Sequence, residues 1–201
     1  DLEHGFFVNT QLDPGKKEDE CSKDQGIATL MAMDPNGEAA KQLIARLVEK
    51  KVAITSTLPV FEHMVPGRPP VQQRVLDAMT PQARERFLLA RNLAAKRPPE
   101  KAAAAFRRDM DLERAFAAAG GLLLAGPDPT GNGGTLPGFG DQREIELLVE
   151  AGFTPVEAIK IATWNGAVYL GRQDRIGSIA AGKDADLVVV KGDPSTKIDD
   201  I

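Results

Sequence analysis

A single cysteine, Cys21, stands in 201 residues, so no intrachain disulfide can staple this fold. That fits a reducing compartment, and it equally fits an exported protein built without disulfides. Basic excess is also missing. Lys and Arg number 25 against 29 Asp and Glu, for a net charge of −4. A general nucleic-acid binder needs surplus cations to displace counterions, so nucleic acid is not an expected partner. No apolar run approaches the roughly 18 residues of a membrane span, and no membrane partner is expected. The longest run, from Gly120 to Gly126, suits a buried strand. Glycine (19) and proline (14) follow no short period, which excludes collagen. There is no Gly-x-Ser-x-Gly nucleophile elbow. The glycines at 131, 133 and 134 precede no Gly-Lys-Ser/Thr, and Leu136 stands where a dinucleotide fingerprint needs glycine. That stretch reads as a sharply turning loop at a site mouth. Cys21 follows Glu18-Asp19-Glu20, whose charges disfavour a thiolate and argue against a nucleophile. What remains is ordinary globular composition, 42% hydrophobic and 27% charged, enough for one or two domains. The chain opens on Asp1 in what looks like the end of a strand, and reads as a piece of something longer.

Along the chain, Ala40, Leu43, Ile44, Leu47 and Val48 recur at helical spacing and predict one apolar face over 38–50. Asp34-Pro35 supplies a cap followed by a first-turn proline. The β-branched stretch 52–57 then predicts a strand. Residues 65–70 are a proline-rich break. The Ala-, Arg- and Glu-rich stretch that follows, to 119, predicts helices, started at Thr80-Pro81 and Pro98-Pro99 and stopped at Gly120-Gly121. Its 82–114 portion reads most simply as a solvated helical layer. Leu122-Leu123-Leu124-Ala125 lacks polar alternation and predicts a strand buried on both faces of a parallel sheet. Asp141 with Glu144 reads as a capping box opening a helix to Ala151, and Thr154 with Glu157 as a second box. Asn165 reads as the cap of a short helix ending at Gly171. Ile176–Ile179 and Ala185–Val190 read as two strands. The alternation is α/β, and only three strand–helix units fit. A complete eight-fold barrel needs about 250 residues, so a barrel here is a segment of one.

The chain has two histidines, His4 and His63. His4 follows the first strand, His63 lies just past the strand at 52–57, and Asp128 lies three residues beyond the strand at 122–125. If these strands are parallel neighbours, all three residues sit at the strand C-terminal ends, where a barrel builds its chemistry. Imidazole and carboxylate are the donors expected for zinc or a similar divalent ion in a hydrolytic site. Spacing alone leaves the plainer readings open. A loop histidine is usually a polar surface residue, and an aspartate between Pro127 and Pro129 is usually a turn residue. A catalytic zinc normally takes three protein ligands.

The C-terminal third narrows this. Glu157-Ala158 through Ala162-Thr163, then Asn165, Leu170-Gly171, Ile176-Gly177-Ser178-Ile179, Gly182-Lys183-Asp184-Ala185-Asp186-Leu187-Val188 and Asp193-Pro194 closely resemble the tail of metal-dependent amidohydrolases. The wording is nearest the imidazolonepropionase-like and Xaa-Pro-dipeptidase-like branch. Leu2-Glu3-His4-Gly5 resembles that superfamily's sixth-strand motif, whose histidine binds metal. Ala125-Gly126-Pro127-Asp128 resembles its eighth-strand motif, whose aspartate binds metal and moves protons; Pro127 stands where the family usually has threonine.

The resemblance implies a C-terminal segment of a TIM (β/α)8 barrel, strands six to eight, with a long helical insertion. Residues 1–171 would be barrel and 172–201 part of a small β-sandwich. It implies metal ligands at His4 and Asp128, catalysis by Asp128, and a substrate-side place for His63. It implies a divalent metal cofactor, zinc by donor type, in one or two ions. The activity implied is hydrolysis of a C–N bond in a small amide, cyclic amide or dipeptide. The partners implied are that small-molecule substrate and the missing N-terminal half of the barrel, and a homo-oligomer is compatible. The rival expectation is a catalytically incompetent fragment, or a half-protein that needs a partner chain for its remaining ligands. A small binding module without catalytic history is disfavoured by the ordered C-terminal match.

Overall fold

Ile54 is fully buried in the middle strand of a three-stranded parallel sheet. In register with it lie Leu2 on one side and Leu123 on the other. The computed structural model describes residues 1–13, 15–20, 26–96, 98–129 and 135–201. Cys21 and the glycines at 131, 133 and 134 fall outside the described residues. The strands are β1 (Leu2–Glu3), β2 (Ile54–Ser56) and β3 (Leu123–Ala125), ordered β1-β2-β3. Parallel neighbours need long crossovers. The first contains α1 (Ile27–Ala32) and α2 (Glu38–Glu49). The second contains α3 (Leu58–Glu62), α4 (Gln73–Asp77), α5 (Pro81–Ala94) and α6 (Pro99–Ala118). After β3 come α7 (Phe139–Ala151), α8 (Pro155–Lys160), a π-helical turn over Ile161–Asn165 and α9 (Gly166–Tyr169).

Ile54, Ser56 and Leu123 meet one helical layer. Ile44 of α2, Phe106, Met110, Leu112 and Phe116 of α6, and Leu147, Leu148 and Ala151 of α7 share one apolar core with Ile54 and Leu123. Removing that much apolar surface from water is the main force holding helices to sheet. Gly121 is required where α6 turns into β3, because a side chain there would collide with the Phe116 ring. Among the described residues no helix is long and apolar enough to cross a membrane.

Several local expectations shift. Asp34 and Pro35 lie in a turn ahead of α2, whose N-cap is Gly37; the Asp34 carboxylate accepts from Asn36 N instead. α7 starts two residues before Asp141. Asp141 occupies the third helical position and reaches back to accept from Gly138 N at 2.7 Å. Glu144 is then free of any capping duty and points into the core. The Thr154–Glu157 box forms as expected: each side chain accepts from the other's backbone N–H. Asn165 caps nothing; its Nδ2 donates to Leu123 O at 2.8 Å and ties the π-turn to β3.

The strands expected at 176–179 and 185–190 do not form. A strand needs a ladder partner, and the described residues supply none. Ile179, Val188 and Val189 stand almost wholly exposed. A turn between them is held by Asp184 N donating to Arg175 O and by the Arg175–Asp184 ion pair.

Candidate functional site

The three strands end at one place, and there the side chains of His4 and Asp128 converge. His4 follows β1 and takes a left-handed backbone, φ +70, as does Gly5 at φ +57. Histidine adopts this region uncommonly. The His4 ring approaches Thr57, the residue after β2, with Nδ1 and Oγ1 3.0 Å apart. Its Nδ1 also lies 3.8 Å from Asp128 Oδ2. Asp128 too is left-handed, φ +44. The edge of the Phe61 ring system braces the imidazole in a T-shaped contact at 5.7 Å. Both polar side chains keep roughly a third of their surface open, so solvent and a small ligand can reach them. The alternation of β2 explains the placement: Ser56 points down into the helical layer, and Thr57 up to His4.

His63 keeps different company. It ends α3, with Nε2 3.0 Å from Thr135 Oγ1 and the ring edge-on to Phe87. Burial holds its pKa below the ordinary value, against the upward pull of Glu62. It lines a cavity of about 50 Å³ shared with Phe87, Thr135, Phe139 and Arg143. The floor of that cavity is a fully buried carboxylate, Glu62, gripped by two arginines. Arg68 Nε donates to Oε1 at 2.9 Å; Arg143 Nε and Nη2 donate at 3.0 and 2.7 Å. Hydrogen bonds and charge from Glu62 and Glu146 push the Arg143 pKa up despite burial.

Beneath the His4–Thr57–Asp128 cluster lies a layer of buried acids that the sequence reading missed. The stretch 82–114 was expected to be a solvated layer, yet Asp109 and Glu113 of α6 are fully buried. Asp109 Oδ1 accepts from Phe6 N at 2.7 Å, and Glu113 Oε2 accepts from the Ser56 hydroxyl at 2.8 Å. Glu144 of α7 is buried beside them with neither carboxyl oxygen hydrogen-bonded. Burial raises Asp109 to about 8 and Glu144 to about 8. It lifts Glu113 well above the carboxylate range, helped by the charges of Asp109 and Glu144. A signal for these residues does exist in the sequence. Asp109 and Glu113 fall at helical spacing within the same stripe as Phe106, Met110, Leu112 and Phe116, and Glu144 falls in the stripe of Leu147, Leu148 and Ala151.

Imidazole and carboxylate side by side suit a divalent ion, and His4 with Asp128 fit as two members of a ligand set. Among the described residues no group of three or more metal-ligating side chains assembles.

Comparison with known proteins agrees with the resemblance of the C-terminal part. The model of the amidohydrolase family matches residues 110–201. An imidazolonepropionase of Phocaeicola vulgatus is 58% identical over 40 residues, covering 20% of this chain and 10% of that protein. An imidazolonepropionase of Streptococcus gordonii is 32% identical over 84 residues, covering 39% of this chain and 27% of that protein. An adenine deaminase of Klebsiella pneumoniae is 51% identical over 45 residues, covering 22% of this chain and 7% of that protein. A crystal structure of an amidohydrolase superposes with a TM-score of 0.51 at 21% identity, over 79% of this chain and 32% of that one. The chain therefore matches only a minor part of the length of each of these relatives.

Proposed function

We propose that this chain supplies the C-terminal part of the active site of a metal-dependent hydrolase acting on C–N bonds, in a small amide, cyclic amide or dipeptide. The observation that carries this reading is the 3.8 Å approach of His4 Nδ1 to Asp128 Oδ2 at the ends of parallel strands, in a chain whose residues 110–201 match the amidohydrolase family. On this reading β1, β2 and β3 are strands six, seven and eight of a (β/α)8 barrel. Residues 1–171 belong to that barrel and 172–201 to a small sandwich whose strands pair only with segments supplied from elsewhere.

His4 and Asp128 would hold a divalent ion, zinc by donor type. When bound, such an ion lowers the pKa of a water toward about 7. Asp128 takes a proton from the attacking water on its carboxylate and returns it to the leaving nitrogen. His4 takes no proton; Thr57 and Phe61 fix the plane of its ring. His63, at the cavity between α3 and α7, contacts substrate. Its lowered pKa keeps it neutral at neutral pH, so it offers one donor and one acceptor nitrogen.

The test is metal stoichiometry alongside kcat in the complete protein. Asp128→Asn keeps size and one oxygen but cannot accept the proton; general acid–base help is typically worth about 10² to 10⁴ in rate. His4→Ala acts through metal affinity, so added metal partly restores turnover. His63→Ala leaves metal content unchanged and alters KM. Near-normal kcat in Asp128→Asn with full metal refutes the mechanism.

A second reading is favoured by the two-donor count and the limited coverage of relatives: the chain alone is catalytically incompetent and needs a partner chain for the other ligands. It predicts metal binding at stoichiometric strength only when the complementing segment is added.

A further inference from the structure

We propose that Asp109 and Glu113, one turn apart on α6, are positioning residues that together brace the His4–Thr57 contact from below. The inference rests on the reading above in taking His4 as a site residue. Its structural content is independent of any metal.

The His4 ring is held between two chain segments, and each segment is anchored to the same helix. The first is the turn after β1. His4 and Gly5 are consecutive left-handed residues; glycine takes this backbone freely, whereas for His4 it needs support from surrounding contacts. Those contacts come from below. Phe6 N donates to Asp109 Oδ1 at 2.7 Å, wholly buried. Gly5 presses so close that an added Cβ would lie 2.8 Å from Asp109 Oδ1 and would collide with Glu113 Oε1. The second segment is the end of β2. Ser56 donates to Glu113 Oε2 at 2.8 Å, and the next residue, Thr57, meets His4 Nδ1.

Residues four apart on a helix share a face, so both acceptors ride on one rigid element. α6 is 20 residues long and packs Phe106, Met110, Leu112 and Phe116 into the core. Gly5 N also donates to Thr55 O at 3.1 Å and ties the two strand ends directly; the two side chains on α6 brace that pair from below, one on each segment. Burial raises both carboxyls toward the neutral form. An amide of the same shape therefore keeps both the acceptor oxygen and the neutral charge.

The chain has only two histidines, so selective ¹⁵N-histidine labelling of the full chain gives two imidazoles, and His63→Gln assigns them. His63, tied to Thr135 and Phe87, is the internal control. Asp109→Leu and Glu113→Leu fill the space without an acceptor. Each is expected to shift the His4 ring nitrogens and change its tautomer population while the His63 signals stay in place. Asp109→Asn and Glu113→Gln are expected to retain the wild-type His4 signals. Ser56→Ala removes the donor to Glu113 with little change of volume, and supplies the same readout if a leucine variant does not fold. The proposal is overturned if Asp109→Leu or Ser56→Ala leaves His4 unmoved, if both histidines move together, or if the amides disturb His4 as much as the leucines do. Zinc added to the wild type reports separately. A His4 ring that ignores zinc counts against the metal reading and leaves the positioning result standing.

Discussion

Glu144 offers a quantitative test of the buried acid layer. Its side chain is 1% exposed and neither oxygen makes a hydrogen bond. The Ser56 hydroxyl nearby is committed to Glu113. Burial lifts the carboxyl from its ordinary 4.5 to about 8; the Ser56 hydroxyl and Leu58 N–H oppose this, and the charges of Asp109 and Glu62 add to it. The folded value lies above the unfolded one, so the native state keeps a proton that the unfolded chain releases. The contribution to stability is full below about pH 4.5 and is lost as pH rises toward 8, at about 1.4 kcal/mol per pH unit. Between about pH 5.5 and 8 the loss comes to about 3 kcal/mol.

Glu144→Gln removes the titration and nearly preserves shape. A buried amide without partners has its own cost, of about 1–3 kcal/mol, but that cost does not vary with pH. The informative quantity is the change with pH of the stability difference between variant and wild type, measured by urea unfolding of both proteins. Titrating groups not coupled to Glu144 then cancel. Glu150, held low by Arg68, loses its contribution as pH falls below the ordinary carboxylate range, outside this window. His63, held low by burial, loses its contribution as pH falls through 6.5. It works against Glu144 in the wild type and equally in the variant. The variant should gain about 3 kcal/mol on the wild type from about pH 5.5 to 8. Parallel pH profiles for the two proteins would refute the claim that Glu144 is buried as a neutral acid.

Three further outcomes follow from local geometry. Arg143→Met leaves the fully buried Glu62 with Arg68 as its remaining arginine; stripping a buried charge of a partner costs up to about 3–5 kcal/mol, visible as a lowered denaturation midpoint. Gly5→Ala combines a left-handed φ with a collision against Glu113 and should cost more than about 1 kcal/mol, read in the same assay. Thr154→Ala breaks the reciprocal box with Glu157 and should cost about 1 kcal/mol, with faster amide exchange confined to the start of α8.

The parallel α/β character was legible because it rests on local patterns. The apolar stripe of α2, the β-branched run of β2 and the unbroken apolar run of β3 each name their element without tertiary information. The C-terminal strands were misread for the complementary reason. Leu187, Val188 and Val189 have strand propensity, but propensity measures fit to a pleated, half-buried surface. No neighbouring strand exists among the described residues to provide that surface, so the pattern is present and the strand is not. The turn carrying His4 was legible only by resemblance. The glycine after His4 and the Phe7 N to His4 O bond mark a local turn, but the anchor of that turn on Asp109 lies more than a hundred residues away.

The misreading of α6 has the same origin and leads further. A count of Lys, Arg and Glu over 82–114 averages the two faces of α6 together, and the average is polar. Read at period 3.6, the stripe through Phe106, Met110, Leu112 and Phe116 includes Asp109 and Glu113, which composition alone assigns to solvent. A buried unpaired carboxylate is expensive. An acid kept inside an apolar stripe therefore implies either a proton or a partner, and both are found here. Asp109 and Glu113 are raised toward the neutral form, and each accepts one hydrogen bond from the backbone or side chain just beneath the candidate site. Replacing the pair by leucines would relieve the desolvation cost, offset by about 1–3 kcal/mol for the buried Phe6 N–H left unpaired, so stability against urea is expected to change little. The replacement would also release Phe6 N and the Ser56 hydroxyl, loosening the His4–Thr57 contact. Retained stability together with a displaced His4 ring is the signature that separates positioning from mere packing. Lost stability with His4 unmoved would assign the acids to the core alone.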